Sequence, residues 1–371
     1  MILEPLVIGD LKVRIPIIQG GMGVGVSRYR LAGTVAKEGG IGIISTAQIG
    51  YDEPEFESEP IETNLSAIKK HLRMAKEIAE GGVVGVNIMV ATQQYKRYVE
   101  AAVEGGADVI ISGAGLPVEL PAYVKGTNTK IAPIVSSVRA ANVILSLWDK
   151  KYKRTADFIV IEGPKAGGHL GFTVEQLANI EQTNYDEEIV NIIKAVSVFE
   201  EKYQVSIPVI VAGGVFTHED IVHCMELGAK GVQIATRFVV TEECDASDAY
   251  KQAYINAKKE DIVIVMSPVG MPGRAIKNTF LERIKKEREP ITKCFNCIVP
   301  CKPKETPYCI TKALTNAVVG DLDNGLIFCG EDVYRLNKMT TVHELMDELA
   351  APNGMIFSQR FINRKVLEGM V

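Results

Sequence analysis

Asp157–Gly171 reads DFIVIEGPKAGGHLG. Phe158, Ile159, Val160 and Ile161 form a short apolar run, the pattern of a strand buried on both faces. The run empties into Gly163-Pro164 and then Ala166-Gly167-Gly168-His169-Leu170-Gly171. A glycine-rich loop at the C-terminal end of a buried strand stands where α/β folds bind their ligands. Adjacent glycines let the backbone approach a bulky ligand without Cβ clashes. His169 is the side chain of this loop suited to moving a proton near neutral pH.

The same pattern recurs along the chain. Ile15–Gln19 runs into Gly20-Gly21-Met22-Gly23, and Ile41–Ser45 follows the helical spacing of Arg28–Glu38. Val83–Met89 carries Asn87, Asp108–Ser112 runs into Gly113-Ala114-Gly115, and Ile131–Val135 is a fifth strand. After Asp157–Ile161 come Ile207–Val211, running into Ala212-Gly213-Gly214, and Gly231–Ala235, followed by Thr236-Arg237. Helical spacing is expected over Ile61–Ala79, Tyr95–Glu104, Arg139–Lys151, Glu187–Lys202 and Glu219–Glu226. Eight apolar strands alternating with helices give a closed (β/α)8 TIM barrel. The rival, a doubly wound open sheet, usually carries fewer such units and a single phosphate turn. The alternation ends near Ala257, so residues 1–260 are expected to form the barrel. Residues 261–371 are expected to form an extension packing near its mouth.

The 371-residue chain is 47% hydrophobic with net charge −5, enough apolar material for a large core and no basic stripe for nucleic acid. The mixed-sign run Glu282–Glu289 reads as a solvated helix face. No secretory signal is visible and no apolar run is long enough to span a membrane. Seven cysteines without an export signal point to the cytoplasm and to thiols or metal ligands. The expected partner is a small-molecule substrate, not nucleic acid or a membrane, with a homodimer left open. His71, His218, His223 and His343 are expected at the surface or as caps. Trp148, Tyr95 and Tyr98 read as packing, and Cys224, Cys244 and Cys329 as buried or incidental.

Two constellations could carry chemistry. GGMGVG has the spacing G-x-G-x-G and so fits a dinucleotide fingerprint poorly. The loops after strands seven and eight, Gly213-Gly214 and Ala235-Thr236, stand where barrel enzymes commonly bind phosphate. The other constellation is Cys294-x2-Cys297-x3-Cys301-x7-Cys309, interleaved with Pro300, Pro303 and Pro307. Four thiols this close can wrap one iron–sulfur cluster or one Zn²⁺. Three close cysteines with a distant fourth favour [4Fe–4S] over the paired knuckles of zinc sites.

Taken in order, PIIQGGMG (Pro16–Gly23), Gly85-Val86-Asn87, AGGHLG (Ala166–Gly171), AGGV (Ala212–Val215), GAKGVQIATRF (Gly228–Phe238) and SPVGMPGR (Ser267–Arg274) resemble the nitronate monooxygenases. These flavin enzymes, formerly called 2-nitropropane dioxygenases, share a fold with flavin-dependent type II enoyl-acyl carrier protein reductases. The resemblance implies FMN on the barrel's top face. Gly20, Gly21, Met22 and Asn87 would lie along the flavin ring, with Ala166, Gly167, Gly168 and Gln233 also at the cofactor. Gly213, Gly214, Ala235 and Thr236 would hold the phosphate, and His169 would be the acid/base residue. Ala235 departs from the glycine common before the threonine, which a backbone contact tolerates. The family's well-known members lack the cysteine run. The implied reaction is oxidation of nitronates or similar small acids. The alternative is an NAD(P)H-dependent reductase of an activated alkene (enoyl-thioester) or quinone, and the remaining reading is a non-catalytic flavin-binding protein.

Overall fold

Eight parallel strands close on themselves: β1 (Ile17–Gln19), β2 (Ile41–Ser45), β3 (Val83–Met89), β4 (Val109–Gly113), β5 (Lys130–Val135), β6 (Ile159–Glu162), β7 (Val209–Ala212) and β8 (Gly231–Ile234). The computed structural model describes residues 3–180 and 184–351. The barrel closes where β8 pairs with β1, Gln233 opposite Ile18. This is the (β/α)8 barrel that the alternating runs predict, with strand bounds within two residues of those read from the sequence. Val and Ile dominate the strands because each strand is covered on both faces.

The inner face holds Ile18, Ile43, Val109, Ile111, Phe158, Val160 and Ile210 as one apolar cluster. Leu6, Ile8 and Val13 join it from an N-terminal hairpin, Leu6–Ile8 paired with Leu11–Val13. The hairpin therefore plugs the end of the barrel opposite the strands' C-terminal edges, leaving the glycine-rich loops as the open end. The larger cluster lies between strands and helices, where Trp148 is fully buried and donates Nε1–H to Pro117 O at 3.0 Å.

The extension is tied to the barrel at three places. Ile262–Met266 (β9) and Pro272–Ile276 (β10) pair antiparallel, and β10 adds the short strand Gly168–His169 to its other edge. Residues near Cys297 dock on the loop after β3 through a bridge between Thr92 and Ile298. The helix Val342–Ala350 packs between Tyr29–Lys37 and His218–Glu226, completing the ring of barrel helices. It buries Leu345, Met346 and Leu349 fully, each contributing about 1.5–3 kcal/mol. Arg237 fixes it through Glu348 at 2.8 Å, and His218 Nδ1 meets Leu349 O at 2.8 Å. The chain thus leaves the barrel after β8 and returns to supply its eighth helix. Residues 352–371 of the expected extension lie outside the described residues.

Two sequence expectations fail here. The Glu282–Glu289 run is helical only to Ile284, because Glu289 turns away to pair with Arg283 and to bond Pro307 O through its N–H. His71 and His218 are buried, not superficial. His71 shares the apolar face of Pro60–Ala79 with Leu65, Ile68, Leu72 and Ala75. Its Nε2 accepts from Arg28 Nε and Nη2, and burial with that guanidinium holds its pKa down to about 3.

Candidate active site

The open end of the barrel leads into a cavity of about 470 Å³, within the range of cofactor and ligand pockets. Each strand delivers one part of its wall. The loop after β1 supplies Gly20, Gly21 and Met22, and β3 supplies Asn87. The β6 loop supplies Ala166, Gly167, Gly168 and His169, the β7 loop Gly213 and Gly214, and β8 with its loop Gln233, Ala235 and Thr236. All the barrel residues singled out from the sequence therefore line one space. Of the four clustered cysteines, Cys297 lines it and Cys294, Cys301 and Cys309 do not.

The glycines are fitted to their places. A Cβ on Gly21 would stand 2.5 Å from Asn87 Cβ, so only glycine lets the β1 loop lie against β3. Gly213 and Gly214 both take the left-handed backbone, with φ of 88° and 89°, which disfavours any side chain there. A Cβ on Gly330 would stand 2.5 Å from Thr236 Oγ1, so the extension closes directly over the start of the β8 loop.

His169 is held from three sides. Its Nε2 shares a 2.7 Å hydrogen bond with Ser267 Oγ, its ring meets Phe328 edge-on at 5.0 Å, and its backbone pairs with Gly273. Burial lowers its pKa to about 4, so the imidazole is neutral at pH 7 and free to accept a proton. Glu162, at the end of β6 and on the same cavity, is pushed up by burial to about 7. Arg274, 1% exposed, braces the β6 loop by donating Nη1–H to Ala166 O and pairing Nε with Glu331 at 2.7 Å.

Sequence reasoning assigned no role to Ser267, Arg274 or Glu162. The first two belong to SPVGMPGR, a motif visible in the chain whose partner loop lies about a hundred residues away. Glu162 closes a strand, where a lone carboxylate has no periodic signature.

A (β/α)8 barrel with glycine-lined loops, an apolar cavity and a neutral histidine at its mouth defines a cofactor-dependent enzyme. The chain belongs to the nitronate monooxygenase family, whose model matches residues 4–351, and is an FMN-dependent oxidoreductase. A probable nitronate monooxygenase of Staphylococcus saprophyticus is 28% identical over 317 residues, 78% of this chain and 83% of that protein. One from Staphylococcus aureus strain Newman is 28% identical over 74% of this chain and 79% of its own. Two solved structures share the fold. FabK from Thermotoga maritima has a TM-score of 0.70 at 23% identity, covering 97% of this chain and 96% of its own. Nitroalkane oxidase from Streptomyces ansochromogenes has 0.69 at 18%, covering 96% and 98%.

The cavity wall fits FMN. Gln233 Oε1 is buried there without a hydrogen-bond partner, an acceptor that a bound polar ring edge would satisfy. No helix among the described residues is long and apolar enough to cross a membrane.

Proposed function

We propose that this enzyme oxidises nitronates or similarly small acids, with His169 handling the substrate proton. The observation that carries this reading is the neutral, cavity-facing His169, whose ring rotation Ser267 sets through the 2.7 Å bond to Nε2. An imidazole that stays neutral down to about pH 4 is in its proton-accepting form across the physiological range, the form needed for the carbon-bound proton of a nitronate's neutral conjugate acid; a nitronate itself arrives already deprotonated at that carbon.

FMN, when bound, supplies the two-electron acceptor for that carbon. The remaining work falls to side chains and backbone of this chain. Gly213, Gly214, Ala235 and Thr236 would bind the phosphate through backbone N–H groups and the Thr236 hydroxyl. Gly20, Gly21, Met22, Asn87, Ala166, Gly167 and Gly168 would border the flavin ring, with Gln233 as a hydrogen-bonding partner. Phe328 and Met271, both on the cavity wall, restrict water beside His169.

The test is anaerobic mixing with a short alkyl nitronate, followed by admission of oxygen. Bleaching of the flavin absorbance by the nitronate and its recovery in oxygen are expected. Bleaching by NAD(P)H alone, with recovery on adding an enoyl thioester or a quinone and no response to nitronate, would overturn the reading in favour of a reductase.

A further inference from the structure

Gln48, Asn64 and Tyr98 form a hydrogen-bonded trio on the β2–β3 side of the barrel mouth, and Gln48 and Tyr98 line the cavity. Gln48 is 6% exposed, Tyr98 2% and Asn64 not at all. Each comes from a different element. Gln48 stands in the loop after β2 with φ of 48°, a left-handed backbone that non-glycine residues seldom adopt and that clusters at functional positions. Asn64 lies on the helix Pro60–Ala79 and Tyr98 on Tyr95–Glu104. The Tyr98 ring packs in the core, so only its hydroxyl brings polarity there.

One backbone donor fixes the polarity of the trio. Gly50 N–H donates to Asn64 Oδ1 at 2.9 Å, so the Asn64 amide cannot be turned over. Its Nδ2 therefore donates twice, to Gln48 Oε1 at 2.8 Å and to the Tyr98 hydroxyl oxygen at 2.9 Å. Gln48 must then present its oxygen to Asn64 and keep both amide hydrogens free, and Tyr98 accepts while its own O–H stays free to donate. No acceptor among the described residues takes the Gln48 N–H groups or the Tyr98 O–H.

Buried donors are normally paired, and two left over on one cavity wall call for an acceptor that enters the cavity. Both residues are neutral. Burial holds the Tyr98 phenol protonated far above its ordinary range, so it remains a donor at any pH the enzyme meets. Neutral donors suit a delocalised monoanion better than a phosphate, which takes charged partners. Since both bonds run from one nitrogen, Gln48 Oε1 and the Tyr98 oxygen lie within the summed length of two hydrogen bonds, close enough for one two-oxygen group to reach both residues. The extension closes this wall: Gln93 N–H donates to Cys297 O at 3.1 Å, Val299 N–H to Ala91 O at 2.8 Å, and the Cys297 thiol is hydrogen-bonded to Thr311.

We propose that the Gln48 amide and the Tyr98 hydroxyl hold the paired oxygens of the anionic substrate, with Asn64 as the positioning residue that orients both. This rests on the reading that the cavity takes a nitronate or a similarly small acid. A nitronate spreads its charge over two oxygens on one nitrogen, as a carboxylate does over two on one carbon, and each oxygen accepts from one of the two residues. Donors held in place by Asn64 need little reorganisation when the anion enters.

The test uses the full chain loaded with FMN and titrated calorimetrically with propionate, a carboxylate that has the two-oxygen head of a nitronate and cannot reduce the flavin. Gln48→Glu keeps an acceptor for Asn64 and replaces the free donor with an anion, and Tyr98→Phe removes the other donor. Each should weaken propionate about tenfold to a hundredfold and raise KM for a short alkyl nitronate in step, with FMN content and the rate at saturating nitronate little changed. Gln48→Glu leaves the trio bonded and decides the matter should Tyr98→Phe fail to fold. Equal propionate Kd in wild type and variants, or a wild type that binds no propionate, would overturn the assignment. So would loss of FMN in place of propionate, since the donors would then serve the cofactor. Flavin bleaching by nitronate with unchanged propionate binding in the variants would sink this site and leave the oxidation standing. Weakened propionate binding in the variants without bleaching of the wild type would sustain the site and sink the oxidation.

Discussion

The two sides of the barrel mouth are built by different means. On one side the loops after β6, β7 and β8 follow directly from their strands, and glycines at Gly213 and Gly214 set the backbone. Four strands round the barrel from β7, beside β3, the wall comes from the extension, which reaches the cavity through Cys297 and Ile298. The extension then crosses the mouth to place Phe328 against His169 and Gly330 over Thr236. The barrel side is local chain geometry, and the other side rests on contacts between residues up to about two hundred positions apart. We read the first as the cofactor-holding side and the second as the side that shapes the substrate's surroundings and carries the cysteines.

That division can be broken in four ways. His169→Ala should keep FMN and slow substrate oxidation by about 10²–10⁴-fold, the usual worth of a general base. Stopped-flow reduction measures it, and near-normal rates with every substrate that wild type accepts would remove His169 from the chemistry. Next in size, Leu349→Ala should destabilise the whole barrel by about 2–5 kcal/mol, as truncation of a fully buried leucine does. Denaturant unfolding followed by far-UV CD reads this. A loss confined to the extension would mean that Val342–Ala350 does not act as the eighth helix.

Gly214→Asp should weaken FMN about tenfold to a hundredfold, since it places a carboxylate in the phosphate loop and a side chain at φ 89°. Flavin retained on gel filtration decides it, and unchanged retention would move the phosphate elsewhere.

The smallest effect concerns pH. His71 and His169 have lowered folded pKa values, about 3 and about 4, so the unfolded chain binds more protons below their ordinary value of about 6.5. Their contribution is present above that value and is lost as pH falls toward the folded ones. Glu162 is raised to about 7 and acts oppositely, costing stability as pH rises from its ordinary range toward 7. The wild type should therefore show a shallow profile between pH 7 and 5.5. Glu162→Gln should uncover the histidines' loss as a fall of about 1 kcal/mol over that window, discounted for the faces open to the cavity. A flat profile in that variant would contradict the assignment of neutral buried histidines.

The same contrast governs what the sequence discloses. Strands such as Asp157–Ile161 and Ile207–Val211 announce themselves because burial on both faces demands unbroken apolar runs, and the glycines after them mark the mouth. Ser267 and Arg274 could be seen as part of a motif, but not as the partners of His169 and Ala166, because antiparallel pairing across a hundred residues leaves no local trace. His71 was legible in principle, standing three residues from Ile68 on an apolar stripe; its polarity hid its burial. The return of the chain at Val342–Ala350 to complete the helix ring is likewise invisible to periodicity, which reports that a helix is amphipathic and not what it packs against.

The central claim is that the glycine-lined mouth holds FMN. Its most direct measurement is the identity and amount of flavin released on denaturing the freshly purified protein, resolved chromatographically. FMN approaching one per chain is the result expected here. FAD in its place, or a protein that neither copurifies with nor takes up any flavin, would contradict it.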